Sequence, residues 1–234
     1  MKIRLSLFLS LISLSLFTNC SENDNDTPET IEFYYDFQND TQSWEGDFAD
    51  YPVGEEDFYE LKYEFSNLPT PLNTSDGALN QSGNNHSDDL FMFIRKQISD
   101  LEANTNYKVS YKIEFASDVA DGMFGVGGSP GEGVTIKAGI TNIKPEKINQ
   151  GGAYQMNIDK GNQETDGSDM VVIGDFSNDT NQNVYTLKTL IADNIPTVSS
   201  NSQGELWLII GTDSGFEATS SIYYNAIKVT LEQQ

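Results

Sequence analysis

Tyr107-Lys108-Val109-Ser110-Tyr111-Lys112-Ile113-Glu114-Phe115 decides the fold. Apolar and polar side chains alternate here without a slip, and successive side chains of an extended backbone point to opposite faces. The stretch therefore reads as a strand with one buried and one wet face. Upstream, Tyr59, Leu61, Tyr63 and Phe65 alternate with Glu60, Lys62 and Glu64 in the same way. Residues 90–94, 170–173 and 206–210 are short continuous apolar runs bounded by polar residues or Gly, which predicts strands buried on both sides. Residues 33–37, 134–138, 154–158, 185–190 and 222–231 complete the set, and a phase change near Ala226-Ile227 predicts a bulge. Residues 99–106 form a short helical or turn segment, and no stretch sustains a 3.6-residue period. About ten strands with almost no helix predict an all-β protein: a two-sheet antiparallel β-sandwich, a jelly roll.

The chain outside these strands sets location and excludes chemistry. Its 234 residues carry 36 acidic and 13 basic side chains, a net charge of −23, with one Cys and one His. A phosphate-binding surface must be basic, so nucleic acid is excluded as a partner. Metal sites built on paired His or clustered Cys are excluded too, as is an intrachain disulfide. Lys2 and Arg4 precede an apolar stretch, Leu5 to Phe17, that is too short for a membrane span and reads as an export leader. It stops at Phe17-Thr18-Asn19-Cys20, which resembles a bacterial lipobox. Ser21-Glu22-Asn23-Asp24-Asn25-Asp26 then resembles the acidic signal that sends Bacteroidetes-type lipoproteins to the outer face of the outer membrane. The expected organisation is a signal peptide over 1–19, a lipidated Cys20 opening an acidic tether over 20–30, and one sandwich domain over 31–234.

Most motif tests fail for a stated reason. Gly127-Gly128-Ser129-Pro130-Gly131 has the G-x-S-x-G form of a hydrolase elbow, but Pro130 has no N–H to give an oxyanion. Asp179-x-Asn181-x-Asn183 opens like a calcium loop, then places Val184 where Gly is required and Leu190 where the bidentate Glu belongs. Asp159, Glu164, Asp166 and Asp169 offer oxygen ligands in one stretch and are the candidates for a structural calcium ion; no other cofactor is expected. Asn84, Asn85, His86 and Asp88 form a polar block before a buried strand. Trp44 and Tyr51 stand in an acidic, loop-like stretch with Phe48, Phe58 and Tyr59. Aromatic faces stack on sugar rings while carboxylates and amides take their hydroxyls, so Trp44, Tyr51, Asn84, Asn85, His86 and Asp88 are the candidate ligand-binding residues.

Residues 31–231 resemble a family of uncharacterised secreted bacterial proteins. The matching segments are Gly46-Asp47-Phe48-Ala49-Asp50-Tyr51-Pro52, Ser82-Gly83-Asn84-Asn85-His86-Ser87-Asp88-Asp89-Leu90-Phe91-Met92-Phe93, Gly125-Val126-Gly127-Gly128-Ser129-Pro130-Gly131-Glu132 and Gly211-Thr212-Asp213-Ser214-Gly215-Phe216-Glu217. The resemblance supplies no catalytic residues. The Tyr223-Tyr224-Asn225-x-Ile227-x-Val229 strand looks like the closing strand of galactose-binding-like jelly rolls. Carbohydrate-binding modules of that shape often place an acidic calcium ligand where this chain has Asn225.

The reading is a surface-anchored lipoprotein whose sandwich binds an extracellular glycan without catalysis. Two alternatives stand beside it: an interaction component of a surface-protein complex, and a hydrolase using two carboxylates, which needs no His. Acyl chains would hold the anchor at about 0.8 kcal/mol per buried CH₂. Cys20→Ala is therefore expected to move the protein from the membrane to the soluble fraction of fractionated cells. Retention of that variant in the membrane would rule the anchor out.

Overall fold

A computed structural model describes residues 29–234. The leader, Cys20 and the tether as far as residue 28 lie outside the described residues. The strands are β1 Thr30–Tyr35, β2 Glu45–Ala49, β3 Tyr51–Pro52, β4 Lys62–Asn67, β5 Gly77–Asn84, β6 Leu90–Ile98 and β7 Asn106–Ser117, then β8 Val134–Thr141, β9 Lys147–Gln150, β10 Ala153–Met156, β11 Met170–Asp175, β12 Thr186–Ser199, β13 Leu206–Ser214 and β14 Thr219–Gln233. No helix occurs among the described residues. Residues 99–106 take the turn alternative of their reading.

The strands form two large antiparallel sheets and one small one. The first runs β12-β7-β14-β5-β4, with β1 also on β14, and the second runs β11-β8-β13-β6-β2. From β5 to β8, and again from β11 to β14, successive strands alternate between the two sheets, which is the wrap of a jelly roll. The opening stretch lies inside the first sheet, between β12 and β14. Its Tyr107, Val109, Tyr111, Ile113 and Phe115 face Ile94, Ile136, Ala138, Leu208 and Ile210 of the second sheet across one core. Tyr111 donates its hydroxyl to the Gly139 carbonyl at 2.7 Å, so the one polar atom of this buried ring is paired across the sandwich. The phase change in β14 is a bulge at Asn225, where the register with β7 slips between Tyr224 and Ala226. The register of β14 also fixes the poles. Its first residue, Thr219, pairs with Asn84, and near its other end Glu232 pairs with Thr30, where the described chain enters.

Three elements depart from the sequence reading. Tyr59 belongs to a turn, and β4 starts only at Lys62. Strand β1 ends at Tyr35, before Phe37, which turns into the core with a positive φ of 50°. Trp44 is corrected from a ligand-binding candidate to a core residue. It is 2% exposed and meets Tyr35 edge-on at 5.4 Å and Phe37 at 6.3 Å, closing the core beneath the β1–β2 connection. The buried ring anchors this connection together with Lys96, which donates to the Gln42 carbonyl at 2.6 Å, and Tyr63, whose hydroxyl donates to the Trp44 carbonyl at 2.8 Å. Trp44→Ala is expected to cost about 3–5 kcal/mol in urea denaturation. Phe58→Ala, at an exposed ring, should stay within about 1 kcal/mol. Equal losses for the two variants would contradict this placement.

Candidate functional site

The outer face of the second sheet carries the site. Phe91, Phe93 and Ile209 point away from the main core and are covered by Ala49, Met156, Ile158 and Met170. The cover includes a small sheet, β3-β10-β9, and the loop that follows it. Gly139 permits the close approach: a Cβ there would lie 2.1 Å from the Asp169 carbonyl oxygen. Between β2 and β3 the chain turns at Asp50, whose φ of 63° is a left-handed conformation that Asp tolerates better than most residues. Its N–H donates to the Tyr154 carbonyl at 2.7 Å, fixing the turn against β10.

Two adjoining pockets, about 250 and 240 Å³, share Asp50, Asp89 and Gln155 and make one groove. One half is walled by Tyr51, Pro52, Ala153 and Tyr154. The Tyr51 and Tyr154 rings lie 5.2 Å apart, and the Lys147 ammonium sits 4.6 Å from the Tyr154 ring centre. Lys147 also binds the Tyr51 hydroxyl at 2.9 Å and Asp47 at 3.1 Å. The other half is polar, with Asp159, Lys160 and Asn162.

Beneath the groove lies a charge cluster drawn from four parts of the chain. Asp213 on β13 is wholly buried, and its Oδ2 binds Lys137 Nζ of β8 at 3.0 Å and Lys160 Nζ at 2.8 Å. It also accepts the Gln163 N–H at 2.9 Å. Lys160 reaches Asp50 Oδ2 at 2.9 Å, while Lys137 donates to the carbonyls of Lys160 and Thr165 at 2.8 and 3.0 Å. Burial works to lower the Lys160 pKa, but the charges of Asp213 and Asp50 outweigh it and hold the ammonium above its ordinary value. Asp50, Asp89 and Asp213 are the one group among the described residues whose carboxylate oxygens come within 4.8 Å of one another. The Lys160 ammonium already stands against two of them, where a metal ion would have to sit. Asp89 alone has no lysine: burial first, then the Asp50 charge, raises its carboxyl to about 7.

The structure brings some of the sequence candidates together and separates others. Tyr51 lines the groove, with Ser87 and Asp89 from the polar block. Trp44 is in the main core, away from it. Asn85 is corrected from a ligand contact to a latch: it is 1% exposed and donates to the carbonyls of Ser214 and Phe216 at 2.9 and 3.1 Å. His86 stacks at 4.1 Å on Phe58, Asn84 donates to Glu60 at 3.3 Å, and Asp88 is exposed with its carbonyl accepting from Gln163 at 2.7 Å. None of these three lines the groove. The calcium candidates are corrected as well. Asp159 accepts the N–H groups of Gly161 and Ser168 at 3.1 and 2.9 Å, Asp169 that of Asp159 at 2.8 Å, and Asp166 that of Val172 at 2.7 Å. Those carboxylates brace their own loop, and Glu164 is exposed; they do not converge. Asn225 donates to Glu114 at 2.6 Å inside its bulge. Ser129 binds Glu132 and accepts the N–H groups of Gly131 and Glu132, a turn cap as its Pro130 neighbour implies.

No protein-family model matches the chain, and no curated protein matches it. Among solved structures, the chain is similar to the mannan-recognising carbohydrate-binding module TmCBM27, at 10% identity and a TM-score of 0.40 over 86% of this chain and 98% of that one. It is also similar to the K1 cleaved adhesin domain of Lys-gingipain from Porphyromonas gingivalis W83, at 9% identity and a TM-score of 0.36 over 85% and 97%. A third likeness is to the enzymatically active domain of bacteriophage CBA120 tailspike protein 4, at 12% identity and a TM-score of 0.36; it covers 82% of this chain but only 20% of that one. At these scores none bears on ligand or activity.

The buried cluster makes its own prediction. Lys137→Met leaves Asp213 short of one of its two ammonium partners in a site without solvent, and is expected to cost about 3–5 kcal/mol in chemical denaturation. A loss below about 1 kcal/mol would show that the pair does not hold the cover to the sheet.

Proposed function

We propose that this protein binds a glycan in the groove over the second sheet, and that it is held at the outer membrane surface by a lipid at Cys20. The observation that carries the binding reading is the groove's division of labour. Tyr154, backed by the buried ring of Tyr51, supplies an aromatic surface beside Asp50, Asp89 and Gln155, so a stacking face and polar groups meet within one pocket. Apolar walls with a few convergent polar groups are the usual make-up of a small-ligand site. The arrangement also explains why the protein can be so acidic without harm to this role. A neutral sugar carries no charge, so it loses nothing by approaching a surface rich in carboxylates.

The two-carboxylate alternative draws on the same residues, since Asp50 and Asp89 face one groove. Asp50, however, is tied to Lys160 at 2.9 Å and its own pKa is raised, chiefly by burial. Ion pairing to Lys160 lowers the nucleophilicity of that carboxylate, and this favours binding over hydrolysis. Tyr154→Ala is expected to weaken capture on a glycan array about tenfold or more. Phe124→Ala, at a 99% exposed ring outside the groove, should bind as the parent does. Capture unaffected by Tyr154→Ala, with the fold intact by circular dichroism, would move the site elsewhere.

A further inference from the structure

The groove contains more carboxyl groups than cations, and the surplus falls on one residue. Asp50 arrives from the β2–β3 turn, Asp213 from β13, and Lys160 and Asp159 from the loop after β10, while Lys137 lies below on β8 and Asp88 is the chain neighbour. Every N–H of Lys137 has an acceptor: Asp213 and the carbonyls of Lys160 and Thr165. Lys160 is spent on Asp213, Asp50 and, at 3.4 Å, the Gly161 carbonyl. Neither ammonium is left for Asp89. Asp89 Oδ1 is buried without any partner, as is Oδ1 of Asp213; Asp50 Oδ2 meets Lys160 as an ion pair at 2.9 Å without an aligned hydrogen bond. Burial and neighbouring carboxylates keep the Asp89 proton on to about pH 7.

We propose that Asp89 meets the ligand as a neutral carboxylic acid donating a hydrogen bond beside the acceptor Asp50, so that the groove takes neutral glycans and excludes those bearing uronic acids. This rests on the glycan-binding reading and names its ligand class. A uronate entering the groove meets Asp50 and Asp159 and finds both Lys137 and Lys160 already committed. A neutral sugar oxygen instead accepts the Asp89 hydrogen. Docking also displaces water from Asp89, which makes its anion costlier still, so binding takes up a proton and weakens as the pH rises through 7.

The linkage also has a ligand-free readout. The Asp89 carboxyl titrates near 3.8 in an unperturbed chain and near 7 in the folded one, so the folded state holds a proton that the unfolded state releases. Stability contributed by this group is therefore lost as pH rises between those two values. Asp89→Asn removes that loss. Its melting temperature relative to the parent is expected to climb from pH 4 to pH 8, and the parent's Asp89 carboxyl carbon is expected to show an NMR midpoint near 7. A midpoint near 4 overturns the inference whatever binds. On an array of neutral glycans and their uronate counterparts, run with calcium or with chelator, neutral glycans should be captured. Affinity should fall about tenfold from pH 6 to pH 8 in the parent and be flat in Asp89→Asn. Capture favouring uronates, or strengthening as pH rises, overturns this inference and leaves glycan binding standing. A calcium-dependent rise in melting temperature that Asp89→Asn abolishes also overturns it, because a metal then shares the position assigned to Lys160. Capture of no glycan at all overturns the parent reading instead.

Discussion

The ion pair between Asp213 and Lys137, sealed from solvent on the outer face of the second sheet, is the constraint on which the site depends. A carboxylate with no exposure must be neutralised and hydrogen-bonded to exist there. Two ammoniums and a backbone N–H meet at its Oδ2, and two of these three come from the loop after β10. Lys137 in turn grips the carbonyls of Lys160 and Thr165 in that loop. One buried charge thus pins a long connection to the sheet at several points. The groove exists because that connection, pinned at this spot, stands beside the turn that carries Asp50.

The same economy explains why the region tolerates so much negative charge. In the 157–169 loop, Asp159 and Asp169 spend their oxygens on the loop's own backbone N–H groups and hold it in shape. The aromatic half of the groove is held differently, through Lys147 lying against both Tyr51 and Tyr154 and bound to Asp47. Cations here act as internal ties within an acidic surface. Those in the groove's neighbourhood are all engaged by carboxylates or carbonyls.

The sandwich was legible in the sequence wherever burial imposes a period. β7, β6, β8, β11, β13 and β14 read correctly, including the bulge near Asn225, because packing on one or both faces leaves no choice of residue type. β5 was not legible. Its Asn80 and Gln81 are buried, with Gln81 donating to the carbonyls of Asp47 and Phe93, so polar residues stand where the pattern calls for apolar ones. The site was read less well than the fold. Trp44 and Tyr51 were both named as ligand candidates, and both are buried; nothing local shows that Tyr35 and Phe37 close over Trp44, or that Tyr154 and Tyr59 pack on Tyr51. Asp50, Asp89, Asp213, Lys160 and Tyr154 meet only through tertiary contacts. No local signal gave Lys137 away: Val134-Thr135-Ile136-Lys137-Ala138 alternates like a strand with one wet face, and only the cover over that face buries the lysine.

The course of β14 has a mechanical consequence. It spans 15 residues from its pairing with Asn84 at one pole to the chain entry at Thr30 at the other. At about 3.3 Å per residue that is a mast of about 50 Å. Asp89 and Ser87 follow Asn84 closely, so the groove opens by the masthead while the chain is stepped at its foot. The groove therefore lies at the end of this mast away from Thr30, with nearly its whole length between them.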